Sequence, residues 1–175
     1  NIFQRHTDRI RMANIAQVVN VLQSMILTDT KGTGHMVLTP TYHVFKMYRG
    51  FQEATYLPMD VKVDSMEVDG GHMYHMTPCK IPTISLSAAQ KKDGSIILAL
   101  ANTSLDKAQT ISVSLEGCNV AHVNGEILSS PHITDYNDFE HPDVVKTRPF
   151  KDAKLKKNTL STKIPAKSIV VLNLK

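Results

Sequence analysis

The sequence predicts a mainly β fold, an antiparallel two-sheet sandwich, entered through a segment of different character. Three observations carry this expectation. After residue 50, short runs alternate between apolar and polar residues and are separated by turn-forming residues, the pattern of a sandwich. Among them, Asp93-Gly94 is a strong hairpin signal. Before residue 50 the chain instead holds longer apolar stretches with few breakers, so its organisation changes there.

In chain order, residues 8–26 read in two ways. Ile15, Val18, Val19, Leu22, Met25 and Ile26 recur at helical spacing, while 9–16 also alternates, with Ile10, Met12 and Ala16 on one face. Periodicity alone favours the helix and leaves the strand open. A helix over 39–49 is better marked. Thr39 suits the N-cap, Pro40 suits the first helical position, where its missing N–H costs nothing, and Gly50 suits the end. Val44, Phe45 and Tyr48 form its apolar stripe.

The β region begins near Thr55. Val61-Lys62-Val63 alternates, as does 84–88. Lys92-Asp93-Gly94-Ser95 predicts a type I′ turn, because Asp-Gly supplies positive φ angles. It leads into strands at 95–102 and 110–115, with a break at Gly117 and a final strand over 168–174. Residues 131–149 are polar, hold three prolines and carry Asp135, Asp138, Glu140 and Asp143, which predicts a long excursion between strands. The basic stretch 151–157 is expected to be a solvated turn balanced by those acids.

Composition excludes several classes. With 42% hydrophobic and 21% charged residues, the chain is globular rather than disordered. No apolar run approaches the roughly 20 residues of a membrane span. The net charge of +4 lies wholly in residues 1–50, which hold six basic and two acidic residues, whereas 51–175 holds fourteen of each. With aromatics at 6% and no basic-aromatic interleaving, nucleic acid is not an expected partner. The sequence opens at Asn1 without a Met or a leader pattern and reads as starting within a structure, as a fragment or processed product. Its compartment is left open, periplasmic or extracellular being favoured over cytoplasmic. Cys79 and Cys118 allow one disulfide at most, and two buried free thiols are the plainer reading.

Motifs for chemistry are sparse. His72 and His75 stand three apart, with Cys79 four further on, but zinc sites normally take four protein ligands and no partner pair is evident. The segment reads as a polar surface loop, and neither a metal nor a cofactor is expected. No nucleophile elbow, dinucleotide fingerprint or Walker loop occurs. Glycoside hydrolysis needs two carboxyl groups flanking one bond. The acids here cluster in turns and loops, and no convincing pair emerges.

Two segments carry a specific resemblance. One is 8–22, with Asp8-Arg9 and Ala16-Gln17-Val18-Val19-Asn20-Val21. The other is 36–48, with Pro40-Thr41-Tyr42-His43. In order and spacing they resemble the end of the catalytic barrel in α-L-arabinofuranosidases of glycoside hydrolase family 51. The rest of the chain resembles that family's C-terminal sandwich more loosely, best at 98–102 and 164–172. The resemblance implies a jelly-roll-like β-sandwich over residues 51–175, preceded at 1–50 by the terminal βα piece of a (β/α)8 barrel. Residues 1–6 would end the seventh barrel helix, 9–17 would be the eighth strand, and 39–49 the eighth helix. Gln17 would then lie at a strand's C-terminal end, where barrel enzymes keep their functional residues. It matches a family glutamine that contacts arabinofuranose, a role suited to an amide that both donates and accepts.

The same resemblance places the acid/base and nucleophile glutamates upstream, and residues 1–50 contain no Glu. It implies a retaining arabinofuranosidase acting on arabinan or arabinoxylan, of which this chain is an inactive C-terminal piece. The expected partners are the remaining barrel and an arabinofuranose-containing saccharide, and the family allows a homo-oligomer. The alternative is a stand-alone sugar-binding or adhesion sandwich. That reading needs an aromatic platform, and in a chain without Trp the best pair is Tyr136 and Phe139.

Overall fold

The computed structural model describes residues 1–69 and 78–175. Its elements run α1 (Ile2–Arg5), β1 (Ile26–Thr28), β2 (Met36–Leu38), α2 (Pro40–Tyr48) and a 3-10 turn (Arg49–Phe51). Then come β3 (Thr55–Leu57), β4 (Ser65–Val68), β5 (Cys79–Pro82), β6 (Ile84–Gln90), β7 (Ile96–Asn102) and β8 (Gln109–Ser114). The chain closes with β9 (Val123–Ser129), β10 (Arg148–Phe150), β11 (Ala153–Lys156), β12 (Thr159–Ile164) and β13 (Ser168–Leu174). No described helix is long and apolar enough to cross a membrane.

The fold is mainly β and antiparallel. A six-stranded sheet, in the order β10-β9-β13-β7-β6-β3, faces a three-stranded sheet, β11-β12-β8, while β1-β2 and β4-β5 form separate ribbons. Side-chain alternation builds two cores from the same strands. Ile84, Leu86, Leu98, Leu100, Val170 and Leu172 point inward, meeting Leu160 and Ile164 of β12. Ile97, Ala99 and Val171 point to the opposite face and pack with Met47, beside Val44, Tyr48 and Phe51. β7 and β13 are therefore apolar on both faces, which is why they read as continuous apolar runs.

Several local expectations are corrected. Residues 10–17 form neither helix nor strand. They are mostly exposed, and a β segment without a neighbouring strand has nothing to pair its backbone groups with. The 61–63 alternation is likewise not a strand, β4 starting at Ser65. The Asp93-Gly94 hairpin forms, but not through a type I′ turn. Gly94 alone in the turn has positive φ (83°), its N–H donates to Lys91 O at 3.0 Å, and Lys91 N–H donates to Ser95 O at 2.8 Å. This is a three-residue loop with glycine in the left-handed position, a pattern that follows a type I turn.

Helix α2 starts where expected, with Pro40 in its first turn. Thr39, however, makes no side-chain cap. Its hydroxyl donates instead to Ser24 O (2.7 Å) and Met25 O (3.2 Å), tying the helix start to the preceding loop. The fully buried face is His43 and Met47, whereas Phe45 is exposed. Gly50 does not terminate the helix through positive φ but continues it into the 3-10 turn. A Cβ there would sit 2.6 Å from Ile97 Cδ1, so glycine permits close approach to the sheet.

The basic stretch 151–157 is half strand rather than turn. It contains β11, whose Lys154 and Lys156 face solvent while Ala153 and Leu155 face inward on the edge of the smaller sheet. Outward lysines protect such an edge from pairing with another chain. The excursion expected at 131–149 is irregular up to 147 and ends in the edge strand β10, where Pro149 is tolerated because an edge can spare one N–H. Both cysteines are free, but neither is buried: Cys79 is exposed and Cys118 half-buried.

Candidate functional site

Gln17 is half-buried at the end of the irregular segment after α1. The loop that begins at the next residue is closely fixed. Val18 O accepts from Met25 N–H (3.1 Å) and Ile26 N–H (3.0 Å), and Asn20 N–H donates to Ile26 O (3.1 Å). The Asn20 amide closes the loop a second time, donating to Thr28 Oγ1 and accepting from Thr28 N–H, both at 2.8 Å. Asn20 and Gln23 adopt positive φ (53° and 58°) to make these turns. With Thr39 gripping Ser24 and Met25, the 18–28 loop is anchored to α2, and the anchor fixes where Gln17 emerges. Among the described residues, the Gln17 amide has no hydrogen-bond partner.

Several of the acids are occupied elsewhere. Asp29, at the tip of the β1–β2 ribbon, accepts from the Thr33 hydroxyl, from Thr33 N–H (3.1 Å) and from His35 N–H (3.3 Å). The Thr33 hydroxyl first, then these amides, hold its pKa below the usual carboxylate value. A surface groove lined by Arg49, Gly50, Gln52, Lys91 and Lys92 includes Glu53 and Asp93. Glu53 pairs with Lys92 at 2.5 Å. Asp93 accepts from the Ser95 hydroxyl (2.5 Å) and Ser95 N–H (3.0 Å), which lower its pKa. A group held ionised in this way is a poor general acid. Asp135 and Asp138 cap turns of the excursion through His132 N–H (3.1 Å) and Glu140 N–H (2.9 Å), respectively. No carboxylate pair is brought together among these residues.

His72 and His75 lie outside the described residues. Cys79, their expected companion, begins β5 opposite Val68. Among the described residues, no three of His, Cys, Asp and Glu converge as a metal-ligand group.

Two polar features have no signal in the local sequence. The first joins α1, α2 and β6. Asn1 Oδ1 accepts from Tyr48 Oη (2.8 Å) and Ser87 Oγ (2.9 Å), while its amide donates to Ser85 O (2.9 Å). Burial pushes the Tyr48 phenol up to about 12, the bond it donates to Asn1 acting in the other direction. The second is Asn137, buried within the 131–147 excursion. Its amide donates to Leu38 O and Val145 O (2.8 Å each) and accepts from Val145 N–H (2.7 Å). Each of the two is defined by partners away from it in sequence.

The fold is an antiparallel sandwich led by a short ribbon and a helix, the class of a C-terminal β-sandwich domain. The model of the α-L-arabinofuranosidase C-terminal domain matches residues 1–168, and the chain belongs to that family. It is 48% identical over 174 residues to an intracellular exo-α-L-arabinofuranosidase of Bacteroides ovatus, covering 99% of this chain and 32% of that protein. Among solved structures, the GH51 arabinofuranosidase from Xanthomonas axonopodis pv. citri matches with a TM-score of 0.87 at 42% identity, over 99% of this chain and 33% of the other. A thermostable GH51 α-L-arabinofuranosidase from Thermotoga petrophila RKU-1 matches with a TM-score of 0.82, over 99% of this chain and 36% of the other. At 21% identity, that last likeness shows the fold alone. The chain thus spans about a third of the length of these relatives.

Proposed function

We propose that these 175 residues are the C-terminal part of an α-L-arabinofuranosidase of the family 51 type. In this reading residues 1–50 complete the catalytic barrel, and residues 51–175 are the sandwich that packs beside it. The whole enzyme removes terminal arabinofuranosyl residues from arabinan or arabinoxylan with retention of configuration. One carboxylate attacks the anomeric carbon while an acid protonates the leaving oxygen, and water then hydrolyses the glycosyl-enzyme. Both carboxyl groups belong to the part of the enzyme outside this chain, so the chain alone has no turnover.

Within this chain the proposed substrate contact is Gln17, which donates to one sugar hydroxyl and accepts from another. The observation that carries this role is its uncommitted amide, placed directly before the hydrogen-bonded 18–28 loop. A side chain already bonded to protein would have to give up those partners to bind sugar. Exposed Met12, Val18, Val21 and Leu22 on the same stretch support the barrel reading, because they offer apolar surface to neighbouring strands and helices.

The test is Gln17→Ala in the full-length enzyme that carries this sequence. Two lost hydrogen bonds predict a fall in kcat/KM of about ten- to a hundredfold on an aryl α-L-arabinofuranoside, with unchanged thermal stability. An unchanged kcat/KM would remove Gln17 from the site.

A further inference from the structure

We propose that residues 131–147 form an acid-releasable strap across α2, with His43 as the group that senses the proton. The strap has few attachments. Asn137, 3% exposed, bonds Leu38 O just ahead of α2, and its bonds to Val145 fold the strap into one unit. Val145 then plugs into the apolar layer with Met47, Leu128 and Val171. Other bonds of the strap lie near its surface, such as those Asp138 accepts from Glu140 N–H and His141 N–H.

His43 stands one helical turn before Met47 and is 7% exposed. Among the described residues, its Nδ1 and Nε2 are the buried side-chain polar atoms that lack a hydrogen-bond partner. A neutral imidazole left so forgoes one donated and one accepted bond. An imidazolium would bury two donors and a full charge with nothing to receive them, which costs far more.

The surroundings do not favour the charge. The charged groups that face the ring are Lys46 from α2 and Asp143 and Lys146 from the strap. Asp143 is committed to Lys146 at 2.9 Å. The Tyr42 ring and the imidazole meet in a T-shaped contact with centroids 5.6 Å apart, and the sheet beneath α2 offers Leu128 and Val171. Burial first, then Lys46, keeps the His43 pKa below its ordinary 6.5, against the weaker pull of Asp143.

Closed, the strap requires a neutral His43. Opened, it exposes the ring, which takes up a proton at its ordinary value. The closed form is therefore fully favoured above pH 6.5 and loses ground as the pH falls below it. For one proton the opening equilibrium rises about tenfold per pH unit, until the closed form itself protonates. Opening touches the second core at Val145 alone and leaves the first intact, because Asn137 and Val145 are the strap's buried residues.

The test is hydrogen exchange of the 175-residue chain between pH 8 and pH 5, corrected for the intrinsic pH dependence of exchange. Protection of 131–147 is expected to fall about tenfold per unit below pH 6.5, while β7 and β13 keep theirs. In His43→Phe that dependence disappears. It persists when the exposed strap histidines are replaced, in His132→Gln and His141→Gln. A strap whose protection is flat with pH, or as pH-dependent in His43→Phe as in the parent, overturns the proposal. Should His43→Phe fail to fold, the imidazole resonance of His43 in the parent chain decides. Titration below 6.5 supports the strap, and titration at or above 6.5 contradicts it.

Discussion

At the scale of single residues, buried amides do work that apolar side chains cannot. Asn102 bonds Ile164 O (3.1 Å), Pro165 O (2.9 Å) and Lys107 O (2.9 Å), and accepts from Ser104 N–H (3.0 Å). It thereby closes one end of the sandwich, where β7 meets the turn before β13. Asn137 does the same for the excursion. In sequence such a residue looks like any asparagine of a polar loop, because nothing local shows that its partners are buried carbonyls. Asn137→Ala would leave the Leu38 and Val145 groups unsatisfied, at about 2–3 kcal/mol. Because the strap can open without the sandwich, the global effect is capped by the cost of opening. Hydrogen exchange of 131–147 should accelerate by about thirty- to a hundredfold, while the urea midpoint moves by less than that energy implies. Unchanged exchange would show that Asn137 does not hold the strap.

At the scale of elements, α2 and its 3-10 extension show how packing decides what sequence leaves open. Gly50 looks like a helix stop, yet its role is clearance above Ile97, which is 1% exposed and packed on all sides. Gly50→Ala is expected to destabilise the chain by about 1–3 kcal/mol through overpacking. Ile97→Val removes the Cδ1 methyl that the new Cβ would strike, so the double variant should be more stable than the two separate losses predict. Additive losses in urea denaturation would contradict a direct clash.

The strands that were legible are β6, β7, β8 and β13, whose apolar or alternating runs report burial directly. β9 carries Gly125 and Glu126, β10 carries Pro149, and β11 is lysine-rich, so their pairing depends on neighbours rather than on their own composition. β12 alternates Leu160, Thr162 and Ile164 inward. Thr162 is tolerated there because its hydroxyl donates to Asp152 O at 2.7 Å. Gln17 enters the proposal only through resemblance, since a polar residue in an ambiguous segment announces nothing by itself. The turn at Lys91–Ser95 was right in place and wrong in type, because a hairpin's loop length follows the register of its strands.

At the scale of the whole molecule, charge divides the chain near residue 50, and exposed apolar surface leans the same way. Residues 1–50 carry the entire excess of +4. Nine of the fifteen exposed large hydrophobics among the described residues lie there too, Ile2, Phe3, Met12, Leu22 and Met36 among them, and six lie in 51–175. Helix α2 nevertheless packs on the sheet of residues 51–175, and Tyr48 reaches across to Asn1, so the described residues share one packed body.

The decisive measurement for the proposed C-terminal piece is hydrolysis of an aryl α-L-arabinofuranoside by the purified 175-residue chain. The expected result is no release of the aryl group above the uncatalysed rate at any pH, because the proposed reading places the nucleophile and the acid outside this chain. Saturable turnover by the 175 residues alone would contradict that assignment and place a carboxylate pair within them.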